Sequence, residues 1–176
     1  MYKTLVIVSL LLSFSGHCAD EKDVLKTIKK FGKELKKELK KGLKKSATEA
    51  IKVCHMKAPE ITLKNSNEKI QIGRVSLKNR NPNNVPKEWM LSYIDDFYRS
   101  GNKTGYKIVD LGEKKGLLKP IVTMPLCLKC HGTEISEEVV KEISAKYPND
   151  KATGYKTGEI RGFFWAIYTP TKPKKE

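Results

Sequence analysis

The chain has 176 residues, 35 Lys+Arg against 20 Asp+Glu, and a formal charge of +15. That length fits one domain and excludes a multidomain receptor or kinase on a single chain. A hydrophobic content of 39% excludes wholesale disorder, and four cysteines are too few for a disulfide-dense scaffold.

Met1–Ala19 reads MYKTLVIVSLLLSFSGHCA, with Lys3 at its start and an apolar and small-residue run from Leu5 to Phe14. The run matches the hydrophobic region of a signal peptide and is shorter than the roughly 20 residues of a spanning helix. Ser15, Gly16 and Ala19 suit cleavage. We expect a signal peptide over residues 1–19 and a mature protein in the periplasm, where thiols oxidise. An uncleaved anchor and a lipidated Cys18 are the alternatives, and Ser15 and His17 suit the second poorly.

Residues 20–45 hold 11 Lys and 5 acids and no Pro. Val24, Leu25, Ile28, Phe31, Leu35, Leu39 and Leu43 recur at helical spacing, and Ala47, Ala50 and Cys54 continue the stripe. The pattern predicts one long amphipathic helix, about 21 to 56, ended by Pro59. Its lysines read as a solvated face, or as a docking surface for anionic lipid or an acidic redox partner. No nucleic-acid motif accompanies them, so nucleic acid is not expected as a partner.

Ile61–Val75 partly alternates around Asn65-Ser66-Asn67 and predicts a β-hairpin. Residues 79–86 form a polar loop with two prolines. Glu88–Ser100 carries Trp89, Met90, Tyr93, Ile94 and Phe97 at helical spacing. Tyr106–Leu111 and Lys119–Met124 read as strands. Ser136–Tyr147 reads as a helix with Ser136 as N-cap, and Phe163–Tyr168 as a terminal strand. Thr169–Glu176 reads as a flexible tail. Helices flanking a few strands joined by short turns indicate an antiparallel α+β domain.

Cys127-Leu128-Lys129-Cys130-His131 is C-x-x-C-H, the attachment sequence for c-type haem. Each thiol adds across one haem vinyl group, and a helical turn lets both sulfurs reach the porphyrin edge. His131 then lies under the iron as axial ligand. An exported chain is what this attachment requires. A thioredoxin-type dithiol, a zinc site using Cys127, Cys130, Cys54 and His131 or His55, and a plain disulfide are the alternatives. Adjacent Cys130 and His131 are awkward ligands for one tetrahedral ion. The second axial ligand is open among Cys54, His55, Met56, Met90 and Met124. Cys54 lies on the apolar stripe and is the mature thiol that the pentapeptide leaves without a partner, though a buried Cys is equally a small hydrophobe.

Several segments resemble a family of small exported single-haem c-type cytochromes with a PAS-like haem domain. That domain also occurs as the sensing part of histidine kinases and chemoreceptors. The segments are Ala50–Cys54 with Ala58-Pro59, the R-x-S-x-x-x-R-N-P-x-N run from Arg74 to Asn84 with Pro86 and Trp89, Cys127–Gly132, and Gly154-Tyr155 through Gly158–Gly162. The resemblance covers about 46–168 and implies His/Cys axial ligation, with the Cys matching Cys54. His55 beside it, and the length and basicity of the helix before Ser46, depart from the family pattern. Arg74 and Arg80 are candidates to pair with the haem propionates, or else are loop anchors.

The sequence thus predicts a PAS-like α+β domain (46–168) behind a Lys-rich helix (20–45), holding one covalent haem c through Cys127, Cys130, His131 and Cys54. It would act in redox or gas sensing through a partner protein. A simple periplasmic electron-transfer cytochrome is the alternative. No acid/base constellation suggests an enzyme.

Overall fold

In the computed structural model residues 18–171 are described. The segment expected as a signal peptide, apart from Cys18 and Ala19, and the expected tail beyond Thr171 lie outside them. The elements run α1 (Glu21–Leu43), α2 (Ala47–Asn65), β1 (Ile70–Val75), α3 (Glu88–Ser100), β2 (Lys107–Asp110), β3 (Lys115–Val122), α4 (Leu128–His131), α5 (Glu137–Lys146) and β4 (Ile160–Tyr168), with 3-10 turns at Pro82–Asn84 and Pro125–Cys127. The four strands form one antiparallel sheet in the order β1-β4-β3-β2. The α+β expectation holds.

Alternation along the strands divides the sheet into two faces. Ile70, Ile72, Leu117, Ala166 and Tyr168 pack with Val24, Ile28 and Phe31 of α1. Val75, Leu118 and Phe163 pack on the other face with Met90, Ile94 and Phe97 of α3. Pro120 sits in β3 beyond the last residue paired with β2, so its missing N–H breaks no ladder there.

Two predictions fail in the first half of the chain. The expected single helix is two. Ser46 starts α2, and its hydroxyl accepts from the Glu49 amide at 2.9 Å, while the Ser46 and Lys45 amides fold back onto the Gly42 carbonyl. The helices then cross closely, since a Cβ on Gly42 would lie 2.5 Å from the Ala50 Cα. Pro59 does not end α2. It lies on the exposed side, where water can take the carbonyl its ring leaves unbonded, while Ala58 and Ile61 hold the other side in the protein. The expected hairpin over 61–75 is half helix. Asn65 closes α2 by donating to the Ile61 carbonyl and to Glu34, so only β1 is a strand. Ser136 precedes α5 as expected, but its side chain makes no capping bond.

No helix among the described residues is long and apolar enough to cross a membrane. Ala19 is 4% exposed and forms a parallel bridge with Pro170. Its amide donates to the Thr169 carbonyl at 2.8 Å, and the Thr171 amide donates to the Ala19 carbonyl at 3.3 Å. A cut after Ala19 would remove these contacts.

Candidate cofactor site

Between α1, α2, the near face of the sheet and the Cys127–His131 turn lies a cavity of about 760 Å³. That lies in the ~300–1,000 Å³ range of cofactor and ligand pockets. Leucines of α1 (Leu25, Leu35, Leu39) and Ile51, Ala58 and Ile61 of α2 form apolar walls, and Cys54, Cys127, Cys130 and His131 all line it.

The geometry of His131 decides what it can do. Its Nδ1 lies 2.6 Å from the Ala152 carbonyl. A carbonyl only accepts, so Nδ1 carries the proton and Nε2 keeps its lone pair for the cavity. Burial, then repulsion by Arg161 and Arg80, holds His131 well below the usual histidine pKa against the opposing Ala152 bond, so the ring is neutral. The turn is fixed from outside. The Tyr155 and Gly154 amides bond the His131 and Gly132 carbonyls at 2.9 Å each, and Arg80 donates to the Cys130 carbonyl at 2.5 Å.

Cys54 is half-buried. Burial raises its pKa, while Arg74, Arg161 and Arg80 pull it down. Of the other candidates for the second axial position, His55 is exposed and stacks edge-on against Tyr147 at 5.1 Å, and Met56 is 56% exposed. Met90 is wholly buried in the α3 core. Only Cys54 and Met124 line the cavity, and Met124 stands at its mouth beside Lys36. Among the described residues no three His, Cys, Asp or Glu side chains gather as an ion site. The cysteines and His131 thus line one cavity without gathering into such a site.

The arginines differ in role. Arg80 lines the cavity, but its guanidinium is committed to Asp150, with Nε to Oδ1 at 3.1 Å and Nη2 to Oδ2 at 3.0 Å. It anchors a loop. Arg74 and Arg161 have no carboxylate partner among the described residues, and burial depresses both, followed for Arg74 by repulsion from Arg161. The sequence reading did not single out Arg161. The pairing steps from Ile121↔Gly162 to Val122↔Ile160, which leaves Arg161 as the extra residue of a β-bulge. Bulges re-aim side chains, and this one places Arg161 in the cavity, with Nη1 3.5 Å from His131 Nε2 and a buried Nε that has no partner. Ser76 of the R-x-S run holds the bulge by donating to the Arg161 carbonyl at 2.7 Å. A buried guanidinium whose Nε has no partner, in a cavity without a carboxylate for it, fits an anionic group, and a haem with two propionates is one.

The fold and site define a single α+β domain whose cavity presents one neutral histidine, three thiols and two arginines without a carboxylate partner among the described residues. The chain belongs to the Tll0287-like family, which it matches over residues 19–170. A solved structure, "Crystal structure of the cyanobacterial heme-protein Tll0287", superposes with a TM-score of 0.63 at 21% identity, covering 89% of this chain and 100% of that one, a likeness of fold. No curated protein sequence matches.

Proposed function

We propose that this chain is an exported, PAS-like, mono-haem c-type protein of the periplasm that senses redox state or a gas through a partner. The observation that carries the reading is the His131 tautomer: Nδ1–H on Ala152 leaves the Nε2 lone pair, met only by a long 3.5 Å contact from Arg161, in a cavity that Cys127 and Cys130 also line. Haem would supply one-electron iron chemistry. The two C-x-x-C-H thiols would hold it, and His131 and Cys54 would serve as its protein ligands. Arg74 and Arg161 would face its propionates, with Arg80 fixing the turn. Burial raises the Cys54 pKa, and Arg74, Arg161 and Arg80 oppose it. Its protonation, and with it its hold on a metal, would therefore respond to the charge of a bound iron. That supports sensing over plain electron carriage, and turnover of a substrate forms no part of the reading. The solved relative, titled a heme-protein, supports the cofactor.

The test is the absorption spectrum of the exported protein, ferric and ferrous, as wild type and Cys54→Ser. A Soret band that survives acid-acetone extraction is expected, with a ferric spectrum changed in the variant and CO bound by the ferrous protein. Absence of retained haem sinks the proposal. An unchanged ferric spectrum in Cys54→Ser removes the thiolate and leaves Met124, and a ferrous protein that refuses CO makes the carrier the better reading.

A further inference from the structure

The charge is not spread evenly around the cavity. Lys29, Lys33 and Lys36 are exposed, stand along one side of α1, and line the cavity. Lys29 and Lys33 meet no carboxylate among the described residues, and Lys36 places its Nζ 3.6 Å from the sulfur of Met124. That contact ties the lysine row to the segment three residues before Cys127. Met124 is 36% exposed and Pro125 is exposed beside it, so an apolar knob stands at the end of the row. Glu38 is the only acid among the residues lining this cavity, and Lys41 holds it at 2.6 Å.

From this arrangement, and resting on the haem reading above, we propose that Lys29, Lys33 and Lys36 with the Met124–Pro125 knob form the docking surface for an acidic electron-transfer protein, which exchanges electrons at the haem edge held by Cys127. An apolar centre beside a charged border is how protein interfaces are built. A cationic rim on a low-dielectric cleft focuses the field on that centre and raises the encounter rate with an anionic partner. Lipid fits α1 less well. A helix lying in a membrane surface buries an apolar face in the acyl boundary. Here Val24, Ile28 and Phe31 are already in the core, and Leu25, Leu35 and Leu39 form the cavity wall. The helix has no apolar stripe left to insert. Ionic contact at the lysine row would leave the haem in place, so partner and cofactor do not compete.

The experiment uses the full haem-loaded protein and flavodoxin hydroquinone, a small acidic one-electron donor, as probe. Stopped-flow reduction of the ferric protein is followed at low salt and at about 0.3 M, where the Debye length is below 10 Å. The variant is Lys29→Glu/Lys33→Glu/Lys36→Glu. A control with the same charge change elsewhere is Lys69→Glu/Lys114→Glu/Lys141→Glu. The neutral lumiflavin semiquinone serves as the reductant that needs no docking. We expect the flavodoxin rate to fall about tenfold or more with salt and in the rim variant, with lumiflavin unchanged and the control near wild type. A rim variant with an intact Soret band and an unchanged flavodoxin rate overturns the proposal. So does an equal loss with lumiflavin, which would mean altered haem access, or an equal loss in the control, which would mean overall charge alone. Phosphatidylglycerol vesicles that bind wild type and not the rim variant, with flavodoxin rates unmoved, would assign the row to lipid. A protein without haem fails earlier, in its spectrum, and takes the haem reading with it.

Discussion

Removing the Asp150 carboxylate should destabilise the fold and loosen the C-x-x-C-H turn together. Arg80 and Asp150 are 14% and 9% exposed and bond through both ends of the fork. Asp150 also accepts from the Ala152 amide at 2.9 Å, and the Ala152 carbonyl is the group that orients His131. In Asp150→Ala the guanidinium keeps the Cys130 carbonyl at 2.5 Å and loses its counter-charge. Breaking a buried pair typically costs about 3–5 kcal/mol because a desolvated charge is left behind. The residual carbonyl contacts and partial exposure place this case near the lower figure. With a urea slope of about 2 kcal/mol/M, a loss of ~3 kcal/mol moves the midpoint down by roughly 1.5 M. The measurement is a urea melt of wild type, Asp150→Ala and the double replacement Arg80→Met/Asp150→Leu. The double variant should recover most of the loss, since two apolar groups leave no charge unpaired. A midpoint for Asp150→Ala within about 0.3 M of wild type would refute the anchoring role, because surface changes stay within about 0.5 kcal/mol.

Three further outcomes follow from particular contacts. Gly162→Ala would put a Cβ 2.5 Å from the Val75 carbonyl oxygen, a backbone group that cannot rotate away. A loss of about 1–3 kcal/mol is expected, read as a Tm several degrees lower, and an unchanged Tm would mean β1 and β4 can separate there freely. Ser46→Ala removes the cap of α2 and should cost about 1 kcal/mol, with Ser46→Asp restoring it; equal melts for all three would dismiss the cap. Burial raises the pKa of Tyr147, Tyr155 and Tyr168 in the folded protein. The native state therefore keeps protons that the unfolded chain releases near pH ~10. This contribution is whole below that pH and lost as pH rises through the folded values. Denaturant melts across the alkaline range should show it, with Tyr168→Phe falling less steeply than wild type. Identical slopes would remove Tyr168 from the account.

Where a segment's own pattern determines its structure, the sequence was sufficient. The Trp89, Met90, Ile94 and Phe97 spacing located α3 at Glu88–Ser100, and the Cys127–His131 motif lies on a turn whose cysteines and histidine line a cavity. The break after Leu43 was also written, in Ser46 and Glu49 three apart and in a glycine before them, but a continuous apolar stripe outweighed it. Ile61–Asn65 alternates like a strand, and only its contacts with the core and with Glu34 make it helical. Arg161 was the least legible. Its position depends on a bulge, and a bulge is a relation between two strands that no local pattern displays. Arg74 and Arg80 looked alike in sequence, and Asp150, seventy residues away, separates their roles.

In the chain not cut after Ala19, the parallel bridge between Ala19 and Pro170 also sets how the domain answers force. Because the two short segments run in the same direction, the chain leaves the bridge toward opposite ends. Tension applied through residues 18 and 171 would slide the segments past each other and load the two amide–carbonyl bonds together, whereas an antiparallel pair would open one bond at a time. A tether at either end of the uncut chain would therefore load this bridge in shear before it peels α1, the wall of the cavity, from the sheet.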